Sequence, residues 1–297
     1  MATQRFNGPL LDLYQRAKGA SDADIRSAET SEALLSLVVA CLRFLSSACQ
    51  SVELNSSVPD KRYMVYVQNS QPDSLSRPMI VDQFEPNPEA IIRDWQAWRE
   101  NRPVGNIEMG KMTYTMAMAY FAAVDLFDRG NKKGPATYFE CLVGHLFARS
   151  FGVVPTKKAT IQIGEKKVRL TMDFLFDLGE GQAKIHLPVK TSTRERVVQA
   201  WSHQRILDAS YGEGYYTGTL VVFSETKLDL KTRTVVEICV PDQWLAYQTK
   251  LARMERIYYF DVPQRYADLC TEFPTIQLKN FSEFFLEIEE ARRGFRA

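Results

Sequence analysis

Hydrophobic residues recur at three- and four-residue spacing through most of the first third of the chain, which is the period of an amphipathic helix. The pattern predicts a helix over 33–49, a second that begins at Asn87-Pro88-Glu89, and a third over 107–127. Between the first two, residues 55–83 are rich in Ser, Pro, Asp and Gln. That stretch predicts a linker or a long surface loop, with room for one short strand at 62–68.

The pattern changes after residue 134, where a helix over 135–150 is followed by short segments of alternating polarity. These segments predict a hairpin with a Gly164-Glu165 turn, a third strand, a helix, two more strands and two helices: 160–163, 168–177, 184–190, 194–209, 218–223, 234–240, 241–253 and 282–293. The predicted fold is of the α/β class with α+β character, a mixed sheet flanked by helices. A helical N-terminal region over 1–130 is expected to precede this core over 131–297.

Composition excludes few functions. Hydrophobic residues make up 45% and charged residues 25% of the chain, as in an average soluble protein. Thirty-seven Lys and Arg against thirty-six Asp and Glu give a net charge of +1, so a site for a polyanion must be a local patch. The apolar run 33–45 is too short to span a bilayer, and no basic leader precedes it. We therefore expect a soluble, cytoplasmic protein without a membrane partner.

Three charged residues stand where a strand or a buried helix face disfavours them. Glu140 lies at the edge of an apolar helix stripe, Asp173 lies within a strand, and Lys190 ends the next strand. Each also has an ordinary interpretation, as a boundary or solvent-exposed side chain. If the two strands are neighbours, Asp173 and Lys190 meet at their ends. Carboxylates that fix Mg²⁺, with a lysine beside them, are what metal-dependent phosphodiester cleavage requires.

The segment that follows Lys190 carries a second candidate group. Ser192 and Glu195 have the spacing of a capping box, which predicts that a helix begins there. Arg194 and Arg196 flank Glu195. Arginine reads guanine and glutamate accepts from cytosine, so these three residues suit the recognition of a G·C-rich site. The ordinary alternative is a capped basic turn.

Glu140, Asp173 and Lys190, followed by Arg194-Glu195-Arg196, resemble the PD-(D/E)xK type II restriction endonucleases, and within them the branch that cuts CCGG- and CCNGG-like sites. The resemblance covers roughly residues 134–260. It implies a Mg²⁺-dependent, sequence-specific endonuclease of double-stranded DNA that leaves 5′-phosphates. Asp173 and Glu140 would hold the metal, Lys190 would act in catalysis, and Arg194, Glu195 and Arg196 would read bases. A palindromic site implies a homodimer or higher oligomer, in which the N-terminal region could dimerise or embrace DNA.

The sequence departs from this family at the second catalytic acid. Pro188 stands at the acidic position of the motif, and the position thirteen residues after the lysine is His203, followed by Gln204. His203 could bind the metal or act on water, and Gln204 could offer a carbonyl oxygen; a helix residue without a role is an equal alternative for both. The hairpin reads Met172-Asp173 rather than Pro-Asp, which leaves the carboxylate intact.

Two other classes of protein stay open at this point. One is a DNA-binding protein that has a nuclease scaffold but does not cleave, since acids are missing at Pro188 and His203. The other is a structural or interaction protein in which the segment 190–196 is only a capped basic turn. The sequence has no Gly-rich phosphate loop, no CxxC pair and no G-x-S-x-G motif, so nucleotide hydrolase, zinc-module and serine-hydrolase functions have no support.

Overall fold

The computed structural model describes residues 8–128, 130–194 and 197–295. These residues form two compact units, one from 8–145 with 226–237 and one from 146–225 with 238–295. Each unit contains its own mixed β-sheet and flanking helices. The predicted α/β class is therefore confirmed, although the single sheet expected from the sequence is in fact two. The assignment of functions to 1–130 and 131–297 stays a prediction.

Within its described residues the first unit contains five helices, and short polar side chains cap two of them, the second and the third. The five are α1 (Pro9–Asp24), α2 (Ala28–Ala48), α3 (Pro88–Arg99), α4 (Asn106–Phe127) and the first part of α5 (Lys133–Phe151). Ser27 Oγ accepts a hydrogen bond from Thr30 N at 3.1 Å, and Asn87 Oδ1 accepts one from Glu89 N at 3.1 Å. Such caps satisfy backbone N–H groups that the first helical turn leaves unpaired. The cap at Ser27 explains why α2 begins earlier than predicted, and α1 was not predicted at all.

Helices α2 and α4 supply most of the core of the first unit. Helix α4 is buried on every side from Met112 to Val124, as expected for a helix that is apolar all round. Helix α2 has 21 residues and, among the described residues, is the one helix long and apolar enough to cross a membrane. However, 56% of its most apolar stretch is buried within the protein, and core helices of globular proteins also meet this criterion. Localisation in the cytoplasm stays a prediction.

The segment predicted as a linker is a β-sheet instead, so the linker prediction was wrong, whereas the short strand expected at 62–68 is present. Its strands are β1 (Cys49–Ser56), β2 (Tyr63–Gln68), β3 (Gln71–Leu75) and β4 (Met79–Ile80). Two strands from much later in the chain, β10 (Thr226–Asp229) and β11 (Thr234–Glu237), complete the sheet in the order β10-β11-β1-β2-β3, with β4 beside β2. Most of β1 and β3 is exposed, which explains their polar, loop-like composition. The predicted strand over 234–240 thus belongs to the first unit rather than to the second.

The sheet of the second unit contains β5 (Thr156–Ile163), β6 (Lys166–Asp177), β7 (Lys184–Leu187), β8 (Val189–Lys190), β9 (Tyr216–Val222), β12 (Arg256–Tyr259) and β13 (Leu278–Asn280). The order is β13-β12-β9-β7-β6-β5, with β8 beside β9. The predicted β5–β6 hairpin is confirmed, and its turn has Gly164 at a φ of 57°. Pro188 divides the predicted strand 184–190 into β7 and β8, because proline lacks the N–H that a central strand must donate.

Helix α6 (Val197–Tyr211) crosses this sheet, and α7 (Pro241–Ala246), a π-helical turn (Tyr247–Leu251), α8 (Gln264–Glu272), a 3-10 helix (Phe281–Phe285) and α9 (Ile288–Arg292) follow. Trp201 of α6 packs edge-on against Trp244 with ring centroids 5.8 Å apart. Its Nε1 donates to Gln248 Oε1 at 2.8 Å. These contacts fix α6 on the core of the second unit, and α6 carries two of the predicted site residues.

Candidate active site

Lys190, the last residue of β8, forms an ion pair with Asp173, which lies within β6. Antiparallel pairing of β6 with β7 places Phe174 opposite Leu187, and β8 continues from there to Lys190. Lys190 Nζ donates to Asp173 Oδ2 at 2.6 Å, and Val189 N donates to the same oxygen at 2.9 Å. The side chains keep 16% and 23% of their surface exposed, so solvent or a ligand can reach the pair. The predicted proximity of the two residues is present, whereas their roles stay predictions.

An irregularity in the β5–β6 hairpin accompanies Asp173. Lys158 pairs with Thr171 and Thr156 pairs with Leu175, so the register shifts across residues 172–174. Such bulges bend a strand and redirect a side chain, and they are common beside active sites. The shift lies at the residue whose carboxylate meets Lys190.

A buried chain of hydrogen bonds lies beside this ion pair. Gln204 Nε2 donates to Asp208 Oδ1 at 2.9 Å and to the carbonyl oxygen of Tyr216 at 2.8 Å. Both partners only accept, so the amide oxygen of Gln204 faces His186, and His186 Nδ1 must donate to it, at 2.9 Å. Burial lowers the pKa of His186 to about 4, which keeps the ring neutral at pH 7. Its buried Nε2 makes no hydrogen bond to any residue that the structure describes.

His203 lies next to the same group, with its ring centroid 6.3 Å from that of His186. Its ring is partly exposed. Desolvation lowers its pKa; among the charges, Asp173 acts to raise the pKa and Lys190 to lower it. His203 is thus a neutral imidazole near the Asp173–Lys190 pair, whereas both ends of Gln204 are already engaged in holding His186 and α6. Sequence reasoning missed His186; its signal was a histidine in the middle of an apolar strand.

Glu225 is a second residue that sequence reasoning missed. It is 1% exposed, and its carboxylate accepts from Ser192 Oγ at 2.7 Å, Thr193 N at 2.7 Å, Thr193 Oγ1 at 2.6 Å and Tyr259 OH at 3.2 Å. Burial raises the pKa of Glu225, and these hydrogen bonds oppose the rise. The signal in the sequence was an acid three positions after the end of β9, a strand that is buried over nearly its whole length. Glu225 fixes the loop that runs from Lys190 to the predicted base-reading residues.

The predicted capping box pairs Ser192 with Glu195, which lies outside the described residues, so the box stays a prediction. The hydroxyl of Ser192 donates to Glu225, and the described part of α6 begins at Val197. Arg194 is exposed, and its backbone N donates to Ser192 Oγ at 3.3 Å. Glu195 and Arg196 lie outside the described residues, so the structure describes one member of the predicted base-reading group.

The predicted metal ligands are only partly assembled within the described ranges. Glu140 is half-buried on α5 and belongs to the first unit, whereas Asp173 belongs to the second. No three His, Cys, Asp or Glu side chains in the described ranges are grouped closely enough to hold a metal ion. Asp173 Oδ1 makes no hydrogen bond to those residues and is open to a cation. This fits Mg²⁺, which commonly binds one or two carboxylates and takes its other ligands from water and substrate phosphates.

The fold is shared with a solved nuclease. The crystal structure of the type IIP restriction endonuclease Kpn2I matches with a TM-score of 0.81 and 22% identity, over 97% of this chain and 99% of that one. At this identity the similarity shows a common fold. The complex of the restriction endonuclease PspGI with its substrate DNA matches with a TM-score of only 0.45 and 15% identity, over 68% of this chain and 91% of that one. No protein-family model and no curated protein sequence matches the chain.

Proposed function

We propose that this protein is a type II restriction endonuclease, an enzyme that hydrolyses phosphodiester bonds at a specific site in double-stranded DNA. The observation that carries the proposal is the partly exposed Asp173–Lys190 pair, with 2.6 Å between Nζ and Oδ2. It joins β6 to the end of β8, in a fold that a type IIP restriction endonuclease shares over nearly its whole length. The same pair without that fold would be an ordinary surface ion pair.

In this proposal Asp173 holds a catalytic Mg²⁺ through its carboxylate, which leaves its hydrogen bond from Val189 N in place to orient the group. Bound Mg²⁺ supplies positive charge at the phosphate and lowers the pKa of a coordinated water. Lys190 stabilises the negative charge that develops at the phosphate during attack. Glu140 is the second proposed carboxylate ligand. His203 is the better candidate than Gln204 for the position of the missing acid, because the Gln204 amide already has three partners.

Recognition is assigned to the segment after Lys190. Arg194, Glu195 and Arg196 are proposed to read a G·C-containing, palindromic site of the CCGG or CCNGG kind. The buried Glu225 links this segment to the sheet through Ser192 and Thr193. Base reading and cleavage would therefore share one rigid support. The proposed assembly is a homodimer in the cytoplasm, and the products carry 5′-phosphates.

A second candidate function is a DNA-binding protein that does not cleave. Its support is that the described residues contain no preformed cluster of three metal-binding side chains. The missing acids also support it, because Pro188 and His203 occupy positions where this class of nuclease carries acids. In that case the Asp173–Lys190 pair would only stabilise the sheet.

Incubation of the purified protein with plasmid DNA and Mg²⁺ tests both candidates. The endonuclease produces discrete fragments, and a sequencing map of their ends shows one palindromic G·C-containing site. Asp173→Ala removes the proposed metal ligand and should abolish cutting while it preserves site binding in Ca²⁺. Gel retardation without cutting by the wild type supports the second candidate instead. Cutting by Asp173→Ala at the wild-type rate contradicts the assigned site.

A further inference from the structure

The β5–β6 hairpin has two unlike faces. Residues directly opposite each other in an antiparallel pair share a face. The pairs Ala159–Leu170 and Ile161–Val168 form an apolar face, on which Ala159 and Ile161 are buried with Leu207 of α6. The alternate pairs, Lys158–Thr171, Thr160–Arg169 and Gln162–Lys167, form the opposite face, and all six of these residues are exposed.

The exposed face carries three cations and no carboxylate. Lys158, Lys167 and Arg169 form no ion pair within the part of the chain that the structure describes. Lys157 and Lys166 add two further charges to the hairpin, against one acid at the turn, Glu165. A chain with a net charge of only +1 thus concentrates unpaired positive charge on one hairpin face.

The hairpin is also held rigidly. Its apolar face is buried, and Tyr211 OH of α6 donates to the carbonyl oxygen of Thr160 at 2.6 Å. Gln162 Nε2 donates to the carbonyl oxygen of Gly164 in the turn. The cations therefore project from a fixed support rather than from a mobile loop. Same-face residues along a strand repeat every ~6.6 Å, so a regular row of positive and hydrogen-bonding side chains results.

We propose that this face of the hairpin, defined by Lys158, Thr160, Gln162, Lys167, Arg169 and Thr171, contacts the phosphate backbone of DNA. Lysine, arginine, threonine and glutamine are typical phosphate ligands, and such contacts position a duplex without reading its sequence. The hairpin strand β6 continues directly to Asp173. A phosphate-bound hairpin would thus set where the scissile strand meets the Asp173–Lys190 pair. This inference rests on the proposed function and names a surface for it.

The test is the salt dependence of binding to a short cognate duplex in Ca²⁺, measured for the triple variant Lys158→Gln, Lys167→Gln, Arg169→Gln. Each lost phosphate contact lowers the slope of log K against log salt by about 0.9, so the triple variant should lose about 2 to 3. Affinity at ~0.1 M salt should fall roughly ten-fold or more, equally for cognate and non-cognate duplexes.

A second hairpin supplies a matched control. β10–β11 also carries two lysines and one arginine, namely Lys227, Lys231 and Arg233, and all three are exposed. Unlike the first hairpin face, this hairpin also contains the acids Asp229 and Glu237. The triple variant Lys227→Gln, Lys231→Gln, Arg233→Gln should keep the wild-type slope. The charge-preserving variant Lys158→Arg, Lys167→Arg, Arg169→Lys should keep it as well.

Three results would overturn the inference. An unchanged salt slope in the first triple variant would mean that the hairpin does not contact phosphates. An equal decrease of the slope in the control triple variant would mean that only the net charge of the protein matters. A loss of affinity for the cognate duplex alone would mean that the hairpin reads bases. Failure of the proposed function looks different, because the wild type itself then does not cut DNA in Mg²⁺, whether or not it binds a duplex.

Discussion

Lys190 differs from the other lysines of its sheet in having a carboxylate partner at the proposed reaction site. Lys190→Ala should slow single-turnover cleavage by roughly 10²–10³-fold and leave site affinity nearly unchanged, because the charge it neutralises develops only during the reaction. Quench-flow cleavage under protein excess measures the rate. Lys184→Ala is the matched control, since Lys184 of β7 pairs with Asp177 of β6 in the same sheet.

Two outcomes would contradict this role. A loss of affinity at an unchanged rate would make Lys190 a phosphate anchor. An equal slowing by Lys184→Ala would mean that the sheet, and not the proposed site, had been disturbed.

His203 and Gln204 are neighbours in sequence but differ in their surroundings, and this predicts opposite phenotypes. His203→Ala should lower the cleavage rate and leave the unfolding midpoint unchanged, because the ring makes no hydrogen bond to a described residue. Gln204→Ala should destabilise the fold by roughly 1–3 kcal/mol, since it leaves buried His186 Nδ1 without its acceptor. Urea unfolding and cleavage rates measured on both variants separate the two. Full activity in His203→Ala would return that residue to the ordinary interpretation.

His186 should make stability fall at mildly acidic pH. Its pKa is about 4 in the folded protein against 6.5 for the free side chain, so between these values the unfolded chain binds a proton that the folded chain does not. Its contribution is therefore complete above pH 6.5 and is lost as the pH falls towards 4, by about 3 kcal/mol in all. His186→Asn keeps a donor towards Gln204 and should flatten this part of the pH profile, measured by urea unfolding. An identical profile in the variant would contradict the assignment.

At the scale of elements, Glu225 joins strand β9 to the loop before α6. Glu225→Ala orphans buried donors on Ser192 and Thr193, and each orphaned donor costs about 1–3 kcal/mol. We expect that the variant also loses discrimination between DNA sites, because Arg194 directly follows this loop. Glu225→Gln retains one acceptor oxygen and should be much milder. Binding to a panel of single-base-pair site variants, with thermal unfolding alongside, is the measurement; unaltered discrimination in a folded Glu225→Ala would separate the loop from recognition.

Elements with a strong local period were predictable from the sequence. Helices α3 and α4, and the β5–β6 hairpin with its Gly164 turn, are where the pattern placed them. The pairing of Asp173 with Lys190 was expected only if their strands were neighbours, and β6 does pair with β7, which leads into β8. Features that depend on residues far apart in the sequence were not predicted. The strands β1 and β3 have polar, exposed faces and are defined by their neighbours, so their residues resembled a loop.

The contacts of the candidate active site were unpredictable for the same reason. Only the tertiary structure brings together the three partners of Gln204. They are His186 on β7, Asp208 one turn later on α6 and Tyr216 on β9. Glu225 likewise accepts from Thr193, 32 residues earlier in the chain. No spacing rule links such residues, so their function could not be predicted. The hydrogen bond from the Ser192 hydroxyl to Glu225 was not predictable for the same reason.

At the scale of the whole molecule, the chain leaves the second unit after Glu225 and returns to it at Ile238. The intervening hairpin β10–β11 joins the first sheet through the parallel pair β11–β1, with Asn55 opposite Thr234. Neither unit is therefore a simple stretch of sequence. A fragment of residues 1–130 would lack β10 and β11, two of the six strands of the first sheet, so we expect that the region 1–130 does not fold on its own.

The proposed function requires two chains. One chain carries one Asp173–Lys190 pair, and a double-strand break in a palindrome needs an equivalent centre for each strand. We expect a homodimer, with a mass by light scattering of twice the 34.0 kDa chain. Mixing the wild type with Asp173→Ala should form dimers with one active centre, which release open-circular plasmid instead of linear DNA.

The control is Asp177→Ala in the same mixture, since Asp177 pairs with Lys184 away from the proposed centre. That mixture should give linear product at the wild-type ratio. A mass of one chain, together with no accumulation of open-circular plasmid in the Asp173→Ala mixture, would contradict the dimer. A single chain would then have to cut the two strands in turn by rebinding on the opposite strand. Dimers without nicking would instead contradict the role of Asp173, so the two failures are distinguishable.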